Sequence, residues 1–338
     1  MGIRQDQFYI GQQTLLDTMR SAVSADRIGH ALIFSGPEGS GKKTMARWLT
    51  QALMCENRAE APCGHCPGCK KVLSGNHADV KTISLAKGAK TLKVEDVEEL
   101  QRAMTNRAYE GGRRVYILDA AHLLTQQAQN KLLKTLEEPP ENVTLMLLVS
   151  HTAPLLPTVI SRCQQIRMQR IPAGDIENAL MERWNIPKDK AVHAARACDG
   201  WIGAAVNLAQ DEEYWTLRRA ALEMLNEVDK PGMQLRIMAL AEPYKAQWHR
   251  LIELWQSLLR DAALAGEDGG HSMHPDLKQQ MNALGNKYSR EKIQKMWWAC
   301  HQAQQRLAGN ANAQLVMDWL LAIWEGRDEI GFGDRRPL

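Results

Sequence analysis

The sequence predicts an α/β module on a parallel sheet followed by an all-helical remainder, and three observations carry the prediction. Up to about residue 170, apolar runs alternate with amphipathic stretches, in lengths that suit strands and the helices covering both faces of such a sheet. The first run, Ala31-Leu32-Ile33-Phe34-Ser35, leads into a glycine loop and then a helical pattern. From about Pro172 strand patterns cease and helical ones continue.

Composition bounds the rest. A chain of 338 residues, 44% apolar and 24% charged, holds two or three globular domains. No apolar run is long enough to span a bilayer and no secretory h-region is recognisable, so the expected location is cytoplasmic and no membrane is involved. A net charge of +3, with Lys and Arg scattered beside Asp and Glu, argues against a dedicated nucleic-acid binder.

Taken in order, an entry loop and an amphipathic helix over Ile10–Ala22 precede the first strand. The loop after it reads Gly36-Pro37-Glu38-Gly39-Ser40-Gly41-Lys42-Lys43-Thr44. Glycines let successive backbone N–H groups turn inward around phosphate oxygens, the helix N-terminus adds a favourable dipole, and Lys42 adds charge. In the usual pattern a Ser or Thr directly after the lysine reaches Mg²⁺. Here that position is Lys43, and the hydroxyl arrives one residue late, at Thr44. ATP or ADP binding therefore stays open, beside a plain glycine turn that binds nothing.

Next come Cys55, Cys63, Cys66 and Cys69. Four thiolates at this spacing close a tetrahedron, and Gly64, Pro67 and Gly68 permit tight turns. Sulfur ligation matches zinc, and four sulfurs leave no position for a reactive water, so the expected role is structural, with His65 and His77 as spares. Free structural cysteines are the plainer reading.

A strand over Asp79–Leu85 and a helix over Val94–Asn106 follow. Arg113–Asp119 then reads as a buried strand ending in an acid, the Walker-B pattern, or a strand-end acid capping a turn. In working NTPases of this kind a catalytic Glu follows the acid. Here Ala120 follows, and a methyl group cannot polarise water. A helix over Gln126–Glu138 is stopped by Pro139-Pro140, and strands over Leu145–Ser150 and Gln165–Met168 complete the sheet.

Helical patterns then cover Ile176–Trp184, Lys188–Cys198, Ala204–Gln210, Tyr214–Glu227, Gly232–Ala241, Ala246–Ala265, Arg290–Leu307 and Gln314–Trp324, with a mobile loop expected over 266–271. Seven of the ten tryptophans follow Glu213, as a filled bundle core or as surface buried against other chains.

The glycine loop, the four cysteines, the run Asn130-Lys131-Leu132-Leu133-Lys134-Thr135-Leu136-Glu137-Glu138-Pro139-Pro140 and the triplet Ser161-Arg162-Cys163 occur in that order. Together they resemble the clamp-loader AAA+ group of bacterial DNA polymerase III, strongly over residues 8–210 and more weakly beyond. The resemblance implies a RecA-like AAA+ module over 1–170 with a zinc knuckle at 55–69, a helical lid over 171–212 and a helical collar over 213–338. It implies a hetero-oligomer of five subunits, with gamma or tau motors and a delta subunit, that spends ATP to place a sliding clamp on primed DNA. By the same resemblance, Gly36, Gly39, Gly41, Lys42, Lys43, Thr44 and Asp119 form the nucleotide site, and Gly203 stands where motor subunits carry a lid arginine. Arg162 would act on a neighbour's nucleotide. With Lys43, Ala120 and Gly203 all departing from the motor pattern, the implied role is a non-hydrolysing stator without ATPase activity of its own. The alternatives are an ATP-hydrolysing motor of the same loader, a stand-alone zinc-containing NTPase, and a DNA-binding module using the cysteine knob.

Overall fold

The computed structural model describes residues 9–110, 112–265 and 272–327. Its sheet has five parallel strands in the order β2 (Val80–Ile83), β3 (Arg114–Leu118), β4 (Val143–Val149), β1 (Ala31–Ser35) and β5 (Gln164–Arg167). All seven residues of β4 are buried, as expected of a strand covered on both faces. Register places Leu32 beside Met146 on one side and Gln164 on the other.

Alternation along the strands divides the core. Leu32, Phe34, Val115, Ile117, Met146 and Leu148 face the layer of α1 (Gln13–Ser24) and α2 (Lys42–Leu53), where Trp48 is fully buried. Ile33, Tyr116, Leu118, Leu145 and Leu147 face α4 (Val94–Thr105) and α5 (Gln126–Glu137) through Val97, Leu100, Leu132 and Leu136. This is the α/β class on a parallel sheet expected from the sequence. The expected strand at Asp79–Leu85 shortens to Val80–Ile83, and β4 starts two residues earlier than its apolar run suggests. Two short helices were not foreseen: α3 (Pro67–Leu73), inside the cysteine cluster, and α6 (Pro157–Ile160).

Contacts divide the chain into two compact units. One runs to Trp184 and takes in Cys198–Val206; the other consists of Asn185–Ala197 and the chain from Asn207. Helix α7 (Ala173–Trp184) belongs to the first and α8 (Lys188–Ala197) to the second, and α9 (Ile202–Gln210) starts within the first.

The second unit is helical: α10 (Glu212–Glu227), α11 (Met233–Ala241), α12 (Trp248–Ala263), α13 (Lys278–Lys287), α14 (Arg290–Ala308) and α15 (Ala313–Glu325). Its tryptophans fill its own core. Trp248, Trp255 and Trp324 are buried, and each indole N–H donates to a backbone carbonyl, of Ala241, Ala221 and Met296 respectively. Trp298, 48% exposed, is the exception. Helix α13 escaped the sequence reading, and Gly285 within it is required: a Cβ there would lie 2.5 Å from the Ala262 carbonyl oxygen of α12. The expected mobile loop at 266–271 lies outside the described residues.

Candidate nucleotide and metal sites at the two ends of helix α2

At its N-terminus α2 receives the glycine loop. Gly39 and Gly41 take φ of 76° and 88°, a left-handed backbone that side chains resist. A Cβ on Gly39 would also sit 2.5 Å from the Ala204 backbone nitrogen, because α9 approaches the loop directly. There the Gly203 N–H donates to the Gly39 carbonyl at 2.9 Å. A Cβ on Gly203 would meet that oxygen at 2.8 Å.

The loop's two lysines are both engaged within the chain. Lys42 Nζ donates to the carbonyls of Gly36 at 2.5 Å and Pro37 at 2.7 Å. Burial lowers its pKa below the ordinary lysine value, against the attraction of Asp119 and Glu38. Lys43 Nζ lies 2.7 Å from Asp119 Oδ2. Asp119 follows the end of β3, so the two residues meet at the carboxyl edge of the sheet, where ligands of such folds bind. Thr44 lies one residue further along α2, its carbonyl accepting from the Tyr9 hydroxyl at 3.3 Å. Ala120 takes a left-handed φ of 53°, costly for a residue with a Cβ. Burial, with His151 and Lys42 nearby, lowers the pKa of the adjacent His122.

At its C-terminal end α2 meets the cysteine cluster. The Sγ atoms of Cys55, Cys63, Cys66 and Cys69 all lie within 4.8 Å of one another. A zinc tetrahedron with the usual sulfur distance has edges of about 3.8 Å, so a small closure brings the four into ligation. Backbone N–H groups already point at the sulfurs: Cys63 N to Cys55 Sγ, Cys66 N to Cys63 Sγ and Cys69 N to Cys66 Sγ, each at 3.4 Å. Cys66 caps α3 and Pro67 occupies its first turn, so the second ligand pair is placed by a helix start. The Gln51 side chain donates to the Cys69 carbonyl at 3.2 Å, and a Cβ on Gly68 would lie 2.1 Å from the Met54 carbonyl oxygen. The cluster is therefore packed hard against the end of α2. His65 is exposed and contacts the Cys63 carbonyl, while buried His77 accepts from Asp79 N–H; neither joins the sulfur group. These four cysteines are suited to hold a metal ion.

Arg162 lies at the far end of β4's connection, just past α6. Its Nη1 donates to the Thr158 carbonyl at 3.0 Å and its Nη2 lies 2.8 Å from Glu137 Oε1. In the single chain this guanidinium thus pairs with a local carboxylate. The Lys43–Asp119 pair and the Gly203–Gly39 bond were not foreseen. Each joins residues far apart in sequence, and no spacing rule announces them.

The class is defined at this point: a parallel-sheet α/β module with a glycine loop at the start of α2, in one chain with a helical unit. The family described as DNA polymerase III, delta subunit, matches residues 11–172. The chain is 28% identical to DNA polymerase III subunit delta' of Bacillus subtilis strain 168, over 93% of its own length and 97% of that protein. To subunit delta' of Escherichia coli K12 it is 29% identical, over 90% and 91%. Subunit tau of Escherichia coli K12 is 35% identical, but over 59% of this chain and 31% of tau. Its similarity to DNA polymerase III subunit delta' thus runs along nearly the whole of both chains, and its likeness to tau covers only part of each.

Proposed function

We propose that this chain is a delta'-type stator of a clamp loader: it hydrolyses no ATP itself and supplies Arg162 to the nucleotide of a neighbouring motor subunit. The observation that carries the reading is the Lys43 ammonium 2.7 Å from Asp119. Mg²⁺ in an NTPase needs an oxygen ligand from the residue after the loop lysine and the support of the strand-end acid. Here the Lys43 ammonium pairs with the acid, and the position after Lys42 carries no hydroxyl. Ala120 presents a methyl where a water would be oriented, and Gly203 brings no charge to the γ-phosphate position. Hydrolysis is lost at three independent steps.

Arg162 supports the other half of the reading. A guanidinium stays charged at any physiological pH, and its planar fork matches phosphate oxygens and charge developing in phosphoryl transfer. The parts of the chain take corresponding roles: the AAA+ module over 1–170, a lid over 171–212, and a collar over 213–338 that joins gamma or tau motors and a delta subunit. The assembly sets a sliding clamp on primed DNA in the cytoplasm. Zinc on Cys55, Cys63, Cys66 and Cys69 is structural, locking α3 to the end of α2; four sulfurs leave no reactive position. Residual ATP or ADP binding on Gly36, Gly39, Gly41, Lys42 and Thr44 is compatible with this role, since binding and hydrolysis use different groups.

The test is turnover by the purified chain with ATP and Mg²⁺. The reading predicts none above background. Sustained turnover by the wild-type chain would move it to the motor class.

A further inference from the structure

The C-terminal end of α5 carries two acids, Glu137 in its last turn and Glu138 at its C-cap, before Pro139-Pro140. Carboxylates at a helix C-terminus oppose the helix dipole, so this placement costs stability unless a cation answers it. Arg162 is that cation, reached through Glu137 Oε1 at 2.8 Å. The second anchor, the Thr158 carbonyl, belongs to the backbone of α6 and is fixed in place. A guanidinium has five N–H donors. Among the described residues two are engaged, one from each terminal nitrogen, and the side chain remains 36% exposed. The free donors stay open to an incoming anion while the fork is already held.

From this geometry, and resting on the reading that Arg162 serves a neighbour's nucleotide, we infer that Glu137 is a positioning residue. It holds the Arg162 guanidinium in a defined orientation before the neighbouring triphosphate arrives. An arginine at the end of an unrestrained side chain loses rotamer freedom when it meets phosphate. A fork already tethered on two sides has lost most of it in advance, which is the condition for preorganised charge stabilisation. Glu137 touches no substrate; it acts through Arg162.

The test uses the fully assembled loader carrying Arg162→Ala, Glu137→Ala, Glu137→Gln or the double variant Glu137→Ala/Arg162→Ala. ATP-dependent KM and kcat are read under DNA stimulation, with melting curves of each free chain as a check on folding. Exposed ion pairs of this kind change equilibria by about two- to five-fold. Glu137→Ala should therefore lower the part of kcat that Arg162 supplies by about three-fold, with KM for ATP changed less than two-fold. Glu137→Gln keeps an oxygen acceptor at the same place and should recover most of the loss. In the Arg162→Ala background, Glu137→Ala should have no further effect. Full kcat in Glu137→Ala, or the same fall with Arg162 already removed, would overturn the positioning role and leave the trans reading standing. An unchanged rate in Arg162→Ala alone would overturn both.

Discussion

Helix α2 carries a site at each end, and the two have met opposite fates. At the C-terminal end four sulfurs converge, backbone N–H groups point at them, and Gln51 and Gly68 tie the cluster to the helix. Every group there faces inward on one small volume. At the N-terminal end the groups that would grip a triphosphate and its metal engage one another: Lys42 with its own loop, Lys43 with Asp119, Gly39 with Gly203. One end of the helix thus holds a cluster suited to a metal ion. At the other, the glycines hold a turn against which α9 packs.

The comparison can be broken or sharpened experimentally, and the largest expected effect is at the metal end. Removing zinc should cost on the order of 10 kcal/mol of local folding energy and melt α3. Hydrogen exchange over Pro67–Leu73 should rise steeply on chelation, and elemental analysis should find about one zinc per chain. Less than half an equivalent in carefully prepared protein would contradict the structural site.

Acid distinguishes the second unit from both ends of α2. There, stacked His193 and His274 sit in a buried network with Arg218, Asp261, Asp276 and Tyr214. Burial, helped by the Arg218 charge, pushes His193 down to about 4. A folded pKa below the unfolded one means that protonation favours unfolding. Stability is therefore intact above the unfolded value near 6.5 and falls as pH drops through the window down to about 4. The expected loss is about 3 kcal/mol at pH 4 from His193 alone. Denaturant melts of wild type and His193→Gln at pH 7 and 4.5 check this; an equal acid loss in both would assign it elsewhere.

At the loop end the effects are smaller. Gly203→Ala drives a Cβ to 2.8 Å from the Gly39 carbonyl oxygen and should cost about 1–2 kcal/mol, read from thermal melts. Smallest of all is the gain from repair. Ala120→Glu should restore no ATP turnover, because Lys43 still occupies Asp119 and Gly203 remains.

Much of this was legible in the sequence, for identifiable reasons. Parallel strands buried on both faces read as unbroken apolar runs, so β1, β3 and β4 stood out. The cysteine cluster stood out because metal ligation fixes spacing. Helix α13 did not, since Met281 and Leu284 are its only buried residues and Gly285 weakens the helical pattern. Helix α3 was read as turns because the same Gly and Pro that permit a knuckle also begin a helix at Pro67. The buried network around Arg218 was missed because its members come from α8, α10, α12 and the segment before α13, and single polar residues on amphipathic helices look like surface. The phosphate loop was legible as a loop. Its internal pairings were not, because Lys43 and Asp119 are neighbours only once the sheet is assembled.

The central claim is that this chain has given up its own hydrolysis and kept a group that acts on another's. The direct measurement is the DNA-stimulated ATPase rate of a reconstituted loader carrying Arg162→Ala, with zinc content, folding and assembly verified for the variant. The account predicts normal assembly with a clearly reduced rate and reduced clamp loading, and little recovery in Arg162→Lys, whose ammonium lacks the planar fork. A wild-type rate in a fully assembled complex carrying Arg162→Ala would contradict it.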